Sequence, residues 1–113
     1  MLDSEKVDNI IKDVYNAVEK IFPNENPVVI LFGSYARGDA AEDSDIDLMV
    51  LINASREAIS EHNWEMGEAA AEMLLKYDVV VSPIVENKEY FDKNSDVLPF
   101  YKNIVKEGVR RSA

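Results

Sequence analysis

Residues 33–50 read "GSYARGDAAEDSDIDLMV", in which a glycine-serine turn precedes two aspartates at the start of an apolar run. Asp45 and Asp47 are separated by one residue, and side chains alternate across a strand, so both carboxylates are predicted to point to one face. Carboxylates in such positions can bind or flank metal ions about 3.5–4 Å apart, the separation found in two-metal sites. Without a cation, burying two like charges side by side is costly. The pair therefore requires either a metal ion or exposure at the end of the strand.

The rest of the chain alternates between helical and extended patterns. Apolar spacing, helix-forming composition and capping residues predict helices over residues 4–22, 56–76 and 97–108. Short apolar and β-branched runs predict strands over residues 28–32, 45–52 and 77–85, with a short helical turn after Gly33. This order predicts an α/β or α+β fold in one domain over residues 1–113, with a small sheet flanked by helices.

The composition excludes several classes of protein. There is no cysteine, so no disulfide, thiol nucleophile or thiolate zinc site is possible. The apolar runs are far shorter than the about 20 residues of a membrane span, and no signal peptide is visible, so we expect a cytoplasmic protein without a membrane partner. A net charge of −10, from 12 basic and 22 acidic residues, makes a long nucleic acid an unsuitable partner. A bound nucleotide would need metal ions to screen its phosphates.

The turn before the aspartates has the composition of a phosphate-binding loop. Gly33 allows the backbone to approach a ligand closely. Ser34 offers a hydroxyl and a backbone N–H at the predicted start of a helix, where phosphate oxygens are favoured. Alone, a Gly-Ser pair is typical of a plain turn, and an Asp-Ile-Asp run is typical of a loop cap before a strand. Together, the turn ends one strand and the aspartates begin the next, so a phosphate site and a metal site would face one crevice.

The Gly-Ser turn and the aspartate pair are both present, and the pattern of "GS", ten residues and then "DID" resembles the signature of the nucleotidyltransferase superfamily related to DNA polymerase β. The fuller stretch "FGSYARGDAAEDSDIDLMVLI" is similar to the minimal prokaryotic members, the MNT-type nucleotidyltransferases. The resemblance is strongest over residues 28–52, is weaker to about residue 85, and includes the closing "FYKNIVKEG". It implies the polymerase β-like palm fold, a small mixed sheet flanked by helices.

The resemblance also implies roles for particular residues. Asp45 and Asp47 would hold Mg²⁺, with two ions expected, and ATP would be the substrate. The family has a further carboxylate on a later strand of the same sheet, and Asp78, which opens "DVVVSPIV", matches it by position. Asp78 would complete the metal site and accept the proton of the attacking hydroxyl. Three residues are candidates for nucleotide binding: Gly33, Ser34 and Arg37. Arg37 could instead be a solvent-facing residue that caps the short helix.

By the same resemblance, the chain is expected to transfer AMP from ATP to a protein hydroxyl, a tyrosine of a small helical HEPN toxin, and to act as its antitoxin. Larger relatives hold the acceptor with an added helical domain, so here the acceptor surface is expected from another chain, in a homo- or hetero-oligomer. Two alternatives stay open. One is a non-catalytic module that neutralises its partner by occlusion, and the other is a small-molecule transferase of the aminoglycoside type formed by dimerisation.

Overall fold

The computed structural model describes residues 3–111, in which helices and strands alternate along the chain. The elements are α1 (Ser4–Ile21), β1 (Val28–Phe32), α2 (Ser34–Arg37), β2 (Ile46–Ile52), α3 (Arg56–Glu61), α4 (Asn63–Tyr77), β3 (Val81–Asn87), α5 (Lys88–Asn94), α6 (Pro99–Glu107) and β4 (Val109–Arg111). The strand predicted over Val28–Phe32 has the bounds that were expected. The first helix begins after Asp3, whose carboxylate accepts a hydrogen bond from the backbone N–H of Lys6 at 2.9 Å.

The four strands of the described residues form one mixed sheet in the order β3-β2-β1-β4. Strand β1 is antiparallel to both β2 and β4, whereas β2 and β3 are parallel. A parallel pair needs a long crossover, and α3 with α4 supplies it. The predicted fold class, a small mixed sheet flanked by helices, is therefore confirmed.

One face of the sheet is covered by α1, α3 and α4. Alternate residues of β2 point into this layer and are fully buried, namely Ile46, Leu48, Val50 and Ile52. They pack with the apolar stripe of α1 that the sequence predicted: Val7, Ile10, Ile11, Val14 and Val18. Each such side chain contributes about 1.5–3 kcal/mol on burial, so this layer is the main core.

The other face carries the remaining residues of β2 and is covered only in part. Met49 and Leu51 pack under α5 and α6 through Phe91 and Ile104, together with Ile30 of β1. Toward the start of β2 this face carries Asp47 instead of an apolar residue, and Asp47 is only half-buried. The partial cover leaves a polar corner of the sheet at the beginning of β2.

Contacts between distant residues divide one predicted helix and form one strand that was not predicted. The helix predicted over residues 56–76 is two helices, separated at His62, whose ring packs edge-on against Phe22 with centroids 5.2 Å apart. Strand β4 was not predicted. It has three residues, and it is held by pairing with β1 and by the Tyr15 hydroxyl, which donates to the carbonyl oxygen of Arg111 at 2.9 Å.

The strand predicted over residues 77–85 begins later than expected. Helix α4 continues through Tyr77, and Asp78 ends it in the left-handed conformation with φ 55° and ψ 38°. Strand β3 then runs over Val81–Asn87. The prediction that Asp78 opens this strand is therefore wrong.

No helix within residues 3–111 combines the length and the apolar character that crossing a membrane requires.

Candidate functional site

The two aspartates lie where β2 begins. Asp45 is exposed and directly precedes the strand, and Asp47 is its second residue. In the sheet Asp47 lies beside Phe32 of β1 and Ser82 of β3. Since Ile46 points into the main core, alternation directs Asp45 and Asp47 toward the opposite, partly covered face.

The environment of Asp47 disfavours its charged form. Burial raises the pKa of Asp47 above 3.8, and the neighbouring carboxylate of Asp45 raises it further, while the Arg37 guanidinium acts in the lowering direction. A divalent cation between the two carboxylates would remove this repulsion. Mg²⁺ in nucleotide enzymes is typically held by one or two carboxylates together with substrate phosphates. Asp45 and Asp47 therefore fit a magnesium site that is completed by a nucleotide.

Gly33 packs directly against Asp47. Its backbone has φ 75° and ψ −156°, a conformation essentially confined to glycine. A Cβ atom at position 33 would lie 2.4 Å from Oδ2 of Asp47. The glycine turn and the aspartate pair are thus parts of one surface, and only a residue without a side chain allows the carboxylate its position.

The turn continues into the four-residue helix α2, which starts at Ser34 and ends at Arg37. The Gly33 carbonyl accepts the backbone N–H of Arg37 at 3.1 Å, and the Ser34 carbonyl accepts that of Gly38 at 3.0 Å. These bonds hold the turn closed over the start of β2. Ser34 therefore stands at the first helical position next to the residue that contacts Asp47.

Arg37 links α2 to α6 at the edge of this corner. Its guanidinium donates to Asp39 at 3.3 Å and to Glu107 at 3.4 Å, and the hydrogen bond and charge of Asp39, followed by those of Glu107, raise its pKa. The Arg37 side chain is 45% exposed. Exposed ion pairs of this kind contribute little to stability, so Arg37 can exchange them for a phosphate.

The structure does not bring Asp78 into this arrangement. Within residues 3–111, no group of three or more His, Asp or Glu side chains is close enough to share a metal ion. Asp78 is exposed at the end of α4, three residues before β3 starts. In the parallel register it is Ser82 that lies beside Asp47. The apolar stripe of Met66, Met73 and Tyr77, at spacings of seven and four, is the sequence signal that the helix reaches residue 77.

Two aromatic residues border the site and were not among the predicted site residues. Phe32 pairs with Asp47 across the β1–β2 ladder. Phe100, at the start of α6, packs edge-on against Phe32 with ring centroids 5.7 Å apart. Pairing between strands that follow each other in the chain is a sequence signal for the contact of Phe32 with Asp47, whereas the contact of Phe100 with Phe32 depends on how α6 packs.

A buried carboxylate, Glu86, lies deeper on the same face. Glu86 is 7% exposed, and it accepts hydrogen bonds from the Tyr101 hydroxyl at 2.7 Å, Arg56 Nε at 3.2 Å and the Asn87 N–H at 2.7 Å. Burial, followed by the hydrogen bond to Glu86, raises the pKa of Tyr101. The cluster satisfies its own polar groups and joins β3 to α6.

The groove between α1 and α4 does not include the aspartate pair. An open groove of about 430 Å³ lies between α1 and α4, on the other side of the sheet. It is lined by residues of those two helices, including Asp13, Lys20, Glu68, Glu72 and Lys76. The chemistry of the side chains, rather than the depth of a cavity, identifies the corner at β2 as the candidate site.

Comparison with known proteins agrees with this geometry. Residues 11–111 match the nucleotidyltransferase domain family, and the chain belongs to that family. Two relatives from Methanocaldococcus jannaschii carry the name "Putative protein adenylyltransferase". MJ0604 is 36% identical over 98 residues, covering 87% of this chain and 90% of the relative. MJ0141 is 37% identical over 79 residues, covering 70% and 78%. The chain is thus a nucleotidyltransferase.

Solved structures share the fold. The crystal structure of a toxin–antitoxin with AMP-PNP superimposes with a TM-score of 0.60 at 22% identity, covering 88% of this chain and 69% of that chain. A mutant of the toxin–antitoxin MntA-HpeT gives a TM-score of 0.57 at 19% identity, with the same coverage. The nucleotidyltransferase fold that the resemblance implied is therefore confirmed.

Proposed function

We propose that this chain transfers AMP from ATP to a hydroxyl group of a partner protein, with Mg²⁺ at Asp45 and Asp47. The observation that carries the proposal is the contact between Gly33 and Asp47, because a Cβ at position 33 would lie 2.4 Å from the carboxylate. A phosphate chain approaching the glycine turn is thereby brought to the aspartate pair. The names of the M. jannaschii relatives support AMP as the transferred group and a protein as the acceptor.

Asp45 and Asp47 are the proposed metal ligands, with two ions expected. When bound, Mg²⁺ neutralises charge on the triphosphate and on the phosphoryl group in transfer as pyrophosphate leaves. The raised pKa of Asp47 has a consequence for binding, because the metal-free site holds its proton to higher pH than an isolated aspartate does. Metal binding should therefore displace a proton from Asp47 in the acidic range.

The turn and α2 are the proposed phosphate-binding part. Gly33 lets the triphosphate approach the backbone, and Ser34 contributes its hydroxyl beside it. Arg37 exchanges its exposed ion pairs with Asp39 and Glu107 for a phosphate oxygen. Such positioning and charge stabilisation are most of what phosphoryl transfer requires from a protein.

The proposed acceptor is a tyrosine of a small helical HEPN-type toxin, for which this chain would serve as antitoxin in the cytoplasm. Support comes from the fold neighbours, which are toxin–antitoxin structures, one of them with AMP-PNP. Another bears two Asp-to-Glu substitutions with the spacing of Asp45 and Asp47. The net charge of −10 suits docking to a more basic protein, and a hetero-oligomer of the two chains is the expected assembly.

The test is label transfer from α-labelled ATP to the protein encoded by the neighbouring open reading frame. The double variant Asp45→Asn, Asp47→Asn should abolish Mg²⁺-dependent labelling and keep the fold. Asp78→Asn is the matched control, since asparagine tolerates the left-handed conformation at position 78, and it should label at the wild-type rate. Labelling that survives the double variant would refute the proposal.

One observation favours the non-catalytic module as a second candidate. Among the described residues, the aspartate pair has no third acidic or histidine side chain near enough to share its metal ion. If the double variant still neutralises the toxin as well as the wild-type chain does, and neither protein transfers label, neutralisation is by occlusion. Intact mass of the partner after incubation with ATP and Mg²⁺ distinguishes the two candidates, because only transfer adds AMP.

A further inference from the structure

An aromatic surface lies next to the aspartate pair and has no role in the fold's main core. Phe100 is 48% exposed although it is a large apolar side chain. Its contact with Phe32 is edge-to-face, with an interplanar angle of 79°, so the pair presents ring surface to solvent. Exposed aromatic residues beside a polar site are typical of surfaces that bind a flat apolar group.

This aromatic surface adjoins both parts of the proposed nucleotide site, the glycine turn and the aspartate pair. Phe32 directly precedes Gly33 in the chain, and it pairs with Asp47 in the sheet. A ligand group lying on Phe32 and Phe100 therefore adjoins the phosphate turn on one side and the aspartate pair on the other.

The helix that carries Phe100 is held in place at both ends. At its start, the Tyr101 hydroxyl donates to Glu86 at 2.7 Å, and the Tyr101 ring packs against Phe91 with centroids 4.8 Å apart. Toward its end, Ile104 is fully buried and packs with Ile30 and Met49 of the sheet. Phe100 is thus presented by a fixed wall of the crevice, which is the condition for a stacking surface that loses little entropy on binding.

Resting on the proposed function, we propose that Phe100, supported by Phe32, binds the base of the nucleoside triphosphate by stacking. The alternative occupant of this surface is the acceptor side chain. In phosphoryl transfer the attacking and leaving oxygens lie roughly in line, so the acceptor approaches from the side opposite the leaving pyrophosphate. Pyrophosphate is assigned to the turn at Gly33, the residue after Phe32, and the acceptor therefore comes from the far side, over β3.

Stacking has a recognisable signature because every base has a flat face. ATP and GTP should therefore bind with affinities within a few fold of each other. Inorganic tripolyphosphate, which has the phosphates and no base, should bind more weakly than either. Selection among bases would require hydrogen-bonding groups aimed at the base, and Phe100 and Phe32 have none.

The experiment measures binding of Mg-ATP, Mg-GTP and Mg-tripolyphosphate by titration calorimetry with the full chain. Phe100→Ala should weaken ATP and GTP binding by about tenfold, within the range for truncating an aromatic residue under a base, and leave tripolyphosphate binding unchanged. Phe100→Trp should retain nucleotide affinity. Val105→Ala is the control on the same helix, since Val105 is 59% exposed and should change no affinity. Unchanged circular dichroism of each variant would show that the fold is kept.

Four results would overturn the inference. If Phe100→Ala weakens tripolyphosphate as much as ATP, the effect is on the phosphate site. If it leaves ATP affinity unchanged and slows labelling of the partner, the surface holds the acceptor. If the wild-type chain binds tripolyphosphate and ATP equally, the base makes no contact, although the proposed function still stands. Failure of the wild-type chain to bind either ligand with Mg²⁺ would overturn the proposed function as well.

Discussion

Replacing Gly33 by alanine should remove activity more than it removes stability. The new Cβ would lie 2.4 Å from Oδ2 of Asp47, whereas ordinary contacts begin at 3.4 Å. The carboxylate must therefore move by about 1 Å, and misplacing a reacting group by that much can cost about 100-fold in rate. Because the clash involves the end of a short side chain, rotation relieves it at small cost in folding free energy.

The stability cost of Gly33→Ala comes from the backbone. At φ 75° and ψ −156°, a residue with a Cβ is strained by about 1–3 kcal/mol. Gly38→Ala is the matched control, because Gly38 also has a positive φ, 82°, and its added Cβ would meet no atom within 4 Å. Replacing glycine by alanine lowers the conformational entropy of the unfolded chain by the same amount in both variants. This stabilising contribution therefore cancels when the two variants are compared.

The assays are urea denaturation and label transfer from α-labelled ATP. We expect Gly38→Ala to lose about 1 kcal/mol and keep its labelling rate. Gly33→Ala should lose about 2–3 kcal/mol, a fall in melting temperature of about 10 °C for a domain of this size, and label about 100-fold more slowly. Equal labelling by the two variants would show that Asp47 does not need its observed position.

Two further predictions concern carboxylates on the same face of the sheet. Asp47→Asn should stabilise the metal-free protein at neutral pH, because burial and then the Asp45 charge raise the folded-state pKa of Asp47 and its ionised form therefore opposes folding. The stability of the wild-type protein should rise as the pH falls toward that pKa. The same rise in thermal melts of the variant would contradict this account. Glu86→Ala should lose about 3 kcal/mol in urea denaturation, because it leaves two partly buried donors, the Tyr101 hydroxyl and the Asn87 N–H, without their acceptor. Tyr101→Phe should lose about 1.5 kcal/mol. Equal losses would mean that the tyrosine hydroxyl carries the whole effect.

Local sequence determined the elements whose residues carry their own signals. The Asp3 cap and the three-to-four spacing define α1, and Pro27 with Gly33 bounds the apolar run of β1. Alternation along β2 was sufficient to place Asp45 and Asp47 toward one face. These features follow from the backbone geometry of single elements, so no knowledge of packing was needed.

Some predictions were right in outcome although the physical cause lay elsewhere. Gly108 ends α6 as the sequence indicated, but its φ is −70°, which any residue can adopt. Glycine is required there because a Cβ would lie 2.4 Å from the Ile104 carbonyl oxygen of its own helix and 2.4 Å from Ile30 of the neighbouring strand. The second distance depends on how α6 lies across β1, and no local pattern contains it.

Only the tertiary structure decided which side chains surround the aspartate pair. Asp78 looked like a strand residue because "YDVVV" is β-branched, yet packing of Met66 and Met73 against the core extends α4 to Tyr77. The register of β3 on β2 then places Ser82 beside Asp47, and the position of α6 brings in Phe100. Strand register and helix placement minimise exposed apolar area over the whole sheet, so they depend on residues far apart in the chain and cannot be read from any one segment.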